Sequence, residues 1–172
     1  MNLERTKAVL AAVGVAALAI AVPGFDKAVA ATDTSAAART VPLVRYFDGR
    51  KHWSTTGAKP NAKYREEGRI PILVTQAPGT RAVYSCMSGS APRDQYLSHF
   101  TDCENRVSDT GDNVLLKVEG YLYTQPGPGL KAAYRCYVPH TKSHFFSVKS
   151  DCEANPPESP VKAEFVLGYF PA

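Results

Sequence analysis

No standard catalytic constellation occurs in this sequence. It has no GxSxG elbow, no HExxH pair, no CxxC, no phosphate-binding loop and no GxGxxG turn. That removes the usual routes to serine hydrolysis, zinc hydrolysis, dithiol exchange and nucleotide binding. Asp109-Thr110-Gly111 matches the short aspartic-protease triplet, but no apolar strand precedes it and it has no second copy. Beside Asp112 and Asn113 it reads as a polar turn. The histidines, His52, His99, His140 and His144, are scattered, and the closest pair follows Pro139 in a strand-like context, so no metal site and no cofactor are expected. Basic runs are missing too. Twenty Lys and Arg against sixteen Asp and Glu leave a formal +4 spread along the chain, a slight attraction to an anionic envelope and no footprint for nucleic acid. Helical spacing is nowhere sustained, and past residue 22 no stretch is apolar enough to cross a bilayer.

What is present begins with an export signal. Arg5 and Lys7 precede an apolar run of fifteen residues, Ala8 to Val22, and Ala28-Val29-Ala30 supplies small residues for cleavage. The run is too short and wrongly flanked for a membrane span, so residues 1–30 read as a signal peptide and the mature chain is expected to start at Ala31, secreted and extracellular. It keeps about +3 of the formal +4. Residues 31–39 read as a disordered lead-in, and the remainder, 40–172, is enough for one domain with a core.

That remainder reads as three copies of one unit, about 40–79, 80–129 and 130–172. Each opens on an aliphatic-aromatic strand: Leu43-Val44-Arg45-Tyr46-Phe47, Ala82-Val83-Tyr84-Ser85-Cys86 and Ala133-Tyr134-Arg135-Cys136-Tyr137. A polar-aromatic block follows in each, around His52-Trp53, Gln95-Tyr96 and His144-Phe145. Each copy closes on an acid before an apolar strand, at Glu67, Glu119 and Glu164, and the joints Thr75–Gly79 and Thr124–Gly129 are rich in turn-forming Pro and Gly. A period of this length with short strands predicts an all-β fold. Three copies are too few for a usual propeller, and a closed threefold arrangement removes free strand edges. A β-trefoil-like domain is the expected architecture, with a β-sandwich as the fallback.

Four cysteines behind an export signal read as disulfides. Cys86 and Cys103 lie in the second copy, Cys136 and Cys152 in the third, while the first carries Tyr46 and Pro60 at the matching places. Joint absence from one copy follows directly if each bridge lies within a copy. The expected pairs are therefore Cys86–Cys103 and Cys136–Cys152. With all four cysteines committed, no thiol nucleophile remains.

The recurring block sets the candidate site. His52, Trp53, Gln95, Tyr96, His144 and Phe145 place a hydrogen-bonding side chain beside a large ring in every copy. One reading is a sugar subsite, with a ring stacked on a pyranose and a polar neighbour fixing hydroxyls. The other is that equivalent rings form a threefold core layer. Trp53 is the sharpest single candidate as the only tryptophan. Glu67, Glu119 and Glu164 either accept backbone N–H bonds at a turn or line a ligand site. Tyr46, Tyr84 and Tyr134 read as core, and Arg45, Arg69 and Arg135 as solvated faces.

The opening strands, the block Ser143-His144-Phe145-Phe146-Ser147, and the triplets Asp102-Cys103-Glu104 and Asp151-Cys152-Glu153 with a closing Leu167-Gly168-Tyr169 resemble a bacterial secreted repeat family of uncharacterised function. Its members carry RYY-type, DHFYT-type and EG…LGY-type motifs and accompany extracellular hydrolases and cell-wall enzymes. The resemblance implies a β-trefoil-like fold and says nothing of a reaction. Copy two has Gln95 for the block histidine and copy one lacks the Leu-Gly-Tyr, so one working site is expected rather than three. The expectation is a monomeric, secreted, non-catalytic module binding a polysaccharide or cell-surface glycan. The alternative is a trefoil-type protease inhibitor with an exposed rigid loop, for example Ser88 to Gln95.

Overall fold

Short strands separated by Gly- and Pro-rich turns do form nine strands: β1 Thr40–Phe47, β2 His52–Thr55, β3 Arg65–Leu73, β4 Thr80–Met87, β5 Gln95–Ser98, β6 Val114–Tyr123, β7 Leu130–Val138, β8 Ser143–Ser147 and β9 Lys162–Pro171. The computed structural model describes residues 39–107, 111–154 and 160–172, all within one compact unit. The expected signal peptide, nearly all of the lead-in, and Asp109 and Thr110 of the polar turn lie outside the described residues. No helix occurs among the described residues, so the fold is all-β.

One pairing pattern occurs three times. β1 pairs antiparallel with β2 and β3, β4 with β5 and β6, and β7 with β8 and β9. The three groups join through single bridges, Leu73 opposite Tyr121 and Tyr123 opposite Tyr169. Gly120 and Gly168 make those joints possible. They hold φ near +154° and +158°, and a Cβ on either would sit 2.6 Å from Leu73 O or from Leu122 Cβ, closer than packed atoms approach.

The expected closure is not seen. Among the described residues the sheet is open, because β2, β5 and β8 each pair with one strand only. Side chains serve the free edges instead. Ser143 Oγ accepts the His52 N–H at 2.9 Å, and Asp94 Oδ2 accepts the His144 N–H at 2.9 Å. Gln95 bonds both backbone groups of Ser54, Oε1 accepting from N at 2.8 Å and Nε2 donating to O at 3.0 Å. Each bond crosses from one group to another, so the polar members of the blocks do the work that a backbone ladder would do in a closed sheet.

The core draws equivalent positions from each group. Leu43, Val83 and Ala133 come from the opening strands, and Ile72, Leu122 and Phe170 from the closing ones, all buried in one cluster with Leu97 and Phe146. The sizes compensate, with the smallest opening residue in the group that has the largest closing one. Both disulfides pair as expected, Cys86–Cys103 and Cys136–Cys152, and Tyr46 faces Trp53 where Cys86 and Cys136 face Tyr96 and Phe145.

Candidate functional site

The polar chemistry gathers around two arginines. Arg135 on β7 and Arg45 on β1, expected on solvated faces, are buried at 6% and 8% exposure. Arg135 donates from Nε to Glu164 at 2.6 Å, from Nη1 to Glu104 at 2.5 Å and to Leu97 O at 3.2 Å, and from Nη2 to Glu104 at 3.0 Å. Arg45 repeats the set. Its Nε lies 3.2 Å from Glu67, and Nη1 and Nη2 donate to Glu153 at 2.9 and 3.1 Å, with Nη1 also reaching Phe146 O at 2.9 Å. Burial demands such saturation, since an unpaired guanidinium in the interior is costly. Arg69 alone fits the surface reading, exposed and paired with Glu66.

Turn geometry delivers the acids. In both Asp-Cys-Glu triplets the Cys and Glu are left-handed, φ 51° and 63° at Cys103 and Glu104, 57° and 59° at Cys152 and Glu153. Asp102 and Asp151 accept the Glu N–H, and Ser98 and Ser147 donate to the carboxylates at 2.6 and 2.8 Å. The disulfide in each triplet holds a conformation that non-glycine residues otherwise avoid. The sequence showed these acids only as markers beside cysteine; the serine two residues past each ring was the available signal.

Each histidine of the block lies between two rings, His52 stacked and His144 tilted against them. His52 lies 4.5 Å from Phe47 and 4.7 Å from Phe145, with Nε2 3.4 Å from Glu67. His144 lies 4.6 Å from Tyr137 and 5.5 Å from Tyr96, with Nε2 3.4 Å from Glu164 and Nδ1 2.6 Å from Asp94. Gln95, Tyr96 and Phe145 are buried at 3%, 6% and 8% exposure, so they are not free stacking surfaces. Arg135 and Arg45 lie 5.4 and 5.1 Å from the Tyr96 and Phe145 rings. The block thus forms a layer between groups, because open hairpin edges turn inward to find partners. Trp53 is half-buried on β2 and lines none of the cavities considered below.

The recurrent acid needs correction. Strand bulges skip Glu67 between the partners of Arg45 and Tyr46, and Glu164 between those of Arg135 and Cys136. In β6 the same bulge, between Ser85 and Cys86, skips Leu116, while Glu119 belongs to another bulge beside Val83. Glu119 is bound instead by Thr55, Thr56 and Lys117. A fixed offset in sequence cannot register a bulge. The second group consequently lacks the whole set, with Ser85, Gln95 and Leu116 where the others hold Arg, His and Glu. Gln95 Nε2 bonds both Ser85 Oγ and Ser54 O, standing in for the missing arginine at the carbonyl equivalent to Leu97 and Phe146.

The Arg135 cluster opens on a cleft of about 540 Å³ whose lining includes Tyr96, Glu104, Arg135, Tyr137, His144 and Glu164, while from the Arg45 cluster Glu67, with Phe47 beside it, lines a cavity of about 530 Å³ that the arginine itself does not reach. The Arg45 cluster lies under a cavity of about 150 Å³. Burial raises the Tyr96 phenol well above its usual range, and its OH donates to Cys103 O at 2.7 Å. Burial also opposes charge on His144, but the bonds to Asp94 and Glu164 outweigh it and raise its pKa. Burial opposes the Glu164 charge as well, yet His144 and Arg135 hold its carboxyl below the ordinary range. A carboxyl kept ionised is an acceptor for hydroxyl donors and a poor general acid.

These shifts predict a stability profile. His144 is raised in the fold, so its contribution is fully present below the unfolded value near ~6.5 and disappears as pH climbs through the folded value. His99, which burial keeps neutral, works in the opposite sense on the acid side of that value. Urea midpoints measured from pH 5 to 9 should fall with rising pH, and His144→Gln should flatten that fall. Equal slopes in both proteins would remove His144 as the cause.

No protein-family model, curated protein or solved structure matches this chain.

Proposed function

We propose that the protein is a secreted, non-catalytic binding module whose ligand site is the cleft between the second and third groups, and that the ligand is a carbohydrate of a cell surface or envelope. The reading takes the fold as three copies of one unit about an approximate threefold axis. The observation that carries it is the comparison of the two arginine clusters. Both contain the arginine, histidine and acids that join the groups, so those residues have a structural role. The cleft cluster has Tyr137 and Tyr96 where the other has Phe47 and Phe145; the Tyr96 hydroxyl is taken by Cys103 O, but joining the groups does not require the hydroxyl of Tyr137. The Tyr137 ring and hydroxyl beside the Glu164 carboxylate suit a sugar, which brings an apolar face and hydroxyl donors.

Export fits the two disulfides, and no helix among the described residues is long and apolar enough to cross a membrane. The inhibitor alternative retains one supporting feature. Ser90 to Arg93 form an exposed loop closed at its base by Ser88 N–H to Asp94 O, 2.9 Å, and Asp94 N–H to Ser88 Oγ, 2.8 Å.

Glycan-array binding followed by calorimetry tests the reading. Tyr137→Phe and Glu164→Gln should each weaken binding about tenfold or more, while Trp53→Ala should leave it intact. Failure to bind any polysaccharide, or equal affinity in all three variants, would overturn it. Inhibition of a serine-protease panel that is lost in Arg93→Ala would favour the alternative.

A further inference from the structure

The position that carries the cleft occurs a second time. Phe47 stands opposite His52 as Tyr137 stands opposite His144, and Glu67 and Glu164 occupy corresponding bulges beside Arg45 and Arg135. Phe47 and Glu67 line the cavity of about 530 Å³ together with Asp48, Lys63, Arg65 and Glu66. That volume lies within the roughly 300–1,000 Å³ of sites that hold small organic ligands.

The charges on its wall are not balanced. Asp48 Oδ1 accepts the N–H groups of Arg50 and Lys51 at 2.8 and 2.6 Å. Glu66 takes two bonds from Arg69, both 2.7 Å. Glu67 Oε2 lies 3.2 Å from Arg45 Nε and 3.4 Å from His52 Nε2. Every acid is therefore engaged. Lys63 and Arg65, both exposed, pair with no carboxylate among the described residues. Two cations without counter-charges on one wall make the cavity attractive to anions. The cleft differs, because its arginine is buried and bound to Glu104, Glu164 and the Leu97 carbonyl.

Both cations stand on fixed backbone. Asn61 accepts the Lys63 N–H through its side chain at 2.9 Å and the Tyr64 N–H through its carbonyl at 3.3 Å. Arg65 lies directly opposite Phe47 in the β1–β3 ladder, so the two side chains rise from neighbouring positions on one face. Phe47 itself is half-buried and held against His52 at 4.5 Å.

We propose that this cavity is a second ligand site and that it takes an acidic sugar, a pyranose bearing a carboxylate. The sugar carboxylate is a planar, bidentate partner for Arg65, with Lys63 as the second cation. The Phe47 ring serves the apolar face of the pyranose. Glu67 Oε1, outside the contacts made by Oε2, accepts a hydroxyl. A bare inorganic anion uses neither the ring nor that oxygen. The site shares no lining residue with the cleft.

Calorimetry of the purified, oxidised chain with trigalacturonate tests it. Arg65→Gln and Lys63→Gln should each weaken binding about tenfold or more, with an unchanged melting temperature because both side chains are exposed and unpaired. The methyl ester, which keeps the sugar and removes its charge, should bind weaker by about the same factor. Tyr137→Phe, in the cleft, should leave uronate binding unaffected. No binding of the uronate, or binding that survives both cation substitutions, overturns the proposal. Equal binding of the methyl ester, or inorganic phosphate competing as strongly as the uronate, overturns it too. Uronate binding that Tyr137→Phe abolishes places the sugar in the cleft, which sinks this second site and leaves the reading of the cleft standing.

Discussion

Replacing Arg135 with methionine is expected to cost about 3–5 kcal/mol of folding stability, the range found when one member of a buried ion pair is removed. The guanidinium reaches Glu104, Glu164 and the Leu97 carbonyl together, and those partners come from the turn anchored by Cys103, from β9 and from β5. Methionine fills most of the volume but leaves two carboxylates facing each other. Because Glu104 and Glu164 keep some solvent contact, the lower end of the range is expected. The second group supplies the design of the rescue. Arg135→Ser combined with Glu104→Asn, Glu164→Leu and His144→Gln installs an uncharged set of that kind and should recover much of the loss. Arg69→Ala, which removes an exposed pair, should change the denaturation midpoint immeasurably. Urea unfolding of the variants decides the matter, and a loss below about 1 kcal/mol for Arg135→Met would show that the network does not join the groups.

Removing a disulfide is the second large effect. Cys86→Ala with Cys103→Ala opens a loop spanning 17 residues, worth about 3 kcal/mol through the chain entropy of the unfolded state. The folded state loses more than a staple. Cys103 is left-handed and immediately precedes Glu104, so the bridge also holds the acid that Arg135 binds. Combined with Arg135→Met, the double cysteine variant should lose less than the sum of the two separate effects, with an interaction energy of about 0.5–3 kcal/mol. Strict additivity would mean that the turn keeps its shape without the bridge. The corresponding test in the third group uses Cys136, Cys152, Glu153 and Arg45, where the bond lengths and partners are nearly the same.

The candidate site was half legible in the sequence. The polar-aromatic blocks identified the layer where groups meet, and His144 does line the cleft. Their role as exposed subsites was not legible, because period-two alternation tells which side of a strand a residue takes but not whether that side meets solvent or another strand. Arg45 and Arg135 were undervalued for a related reason. Nothing local marks an arginine for burial; the carboxylates that Arg45 and Arg135 meet lie 22 to 108 residues away. The recurrent acid was misplaced by a bulge, which adds a residue without leaving a sequence sign.

What the sequence determined by itself was local or compositional: all-β structure, turn-rich joints, and a disulfide pairing that follows from two cysteines missing together. The three-part period and the export signal belong to the same reading as expectations. Tertiary structure alone decided how the parts meet. It left the hairpin edges open and gave their bonding to Gln95, Asp94 and Ser143, because burying an unpaired backbone group costs more than sacrificing a side chain to it. It also decided that Arg135 itself lines a large cleft while Arg45 lines only a small one, since that depends on how neighbouring loops stand over chemically equal residues.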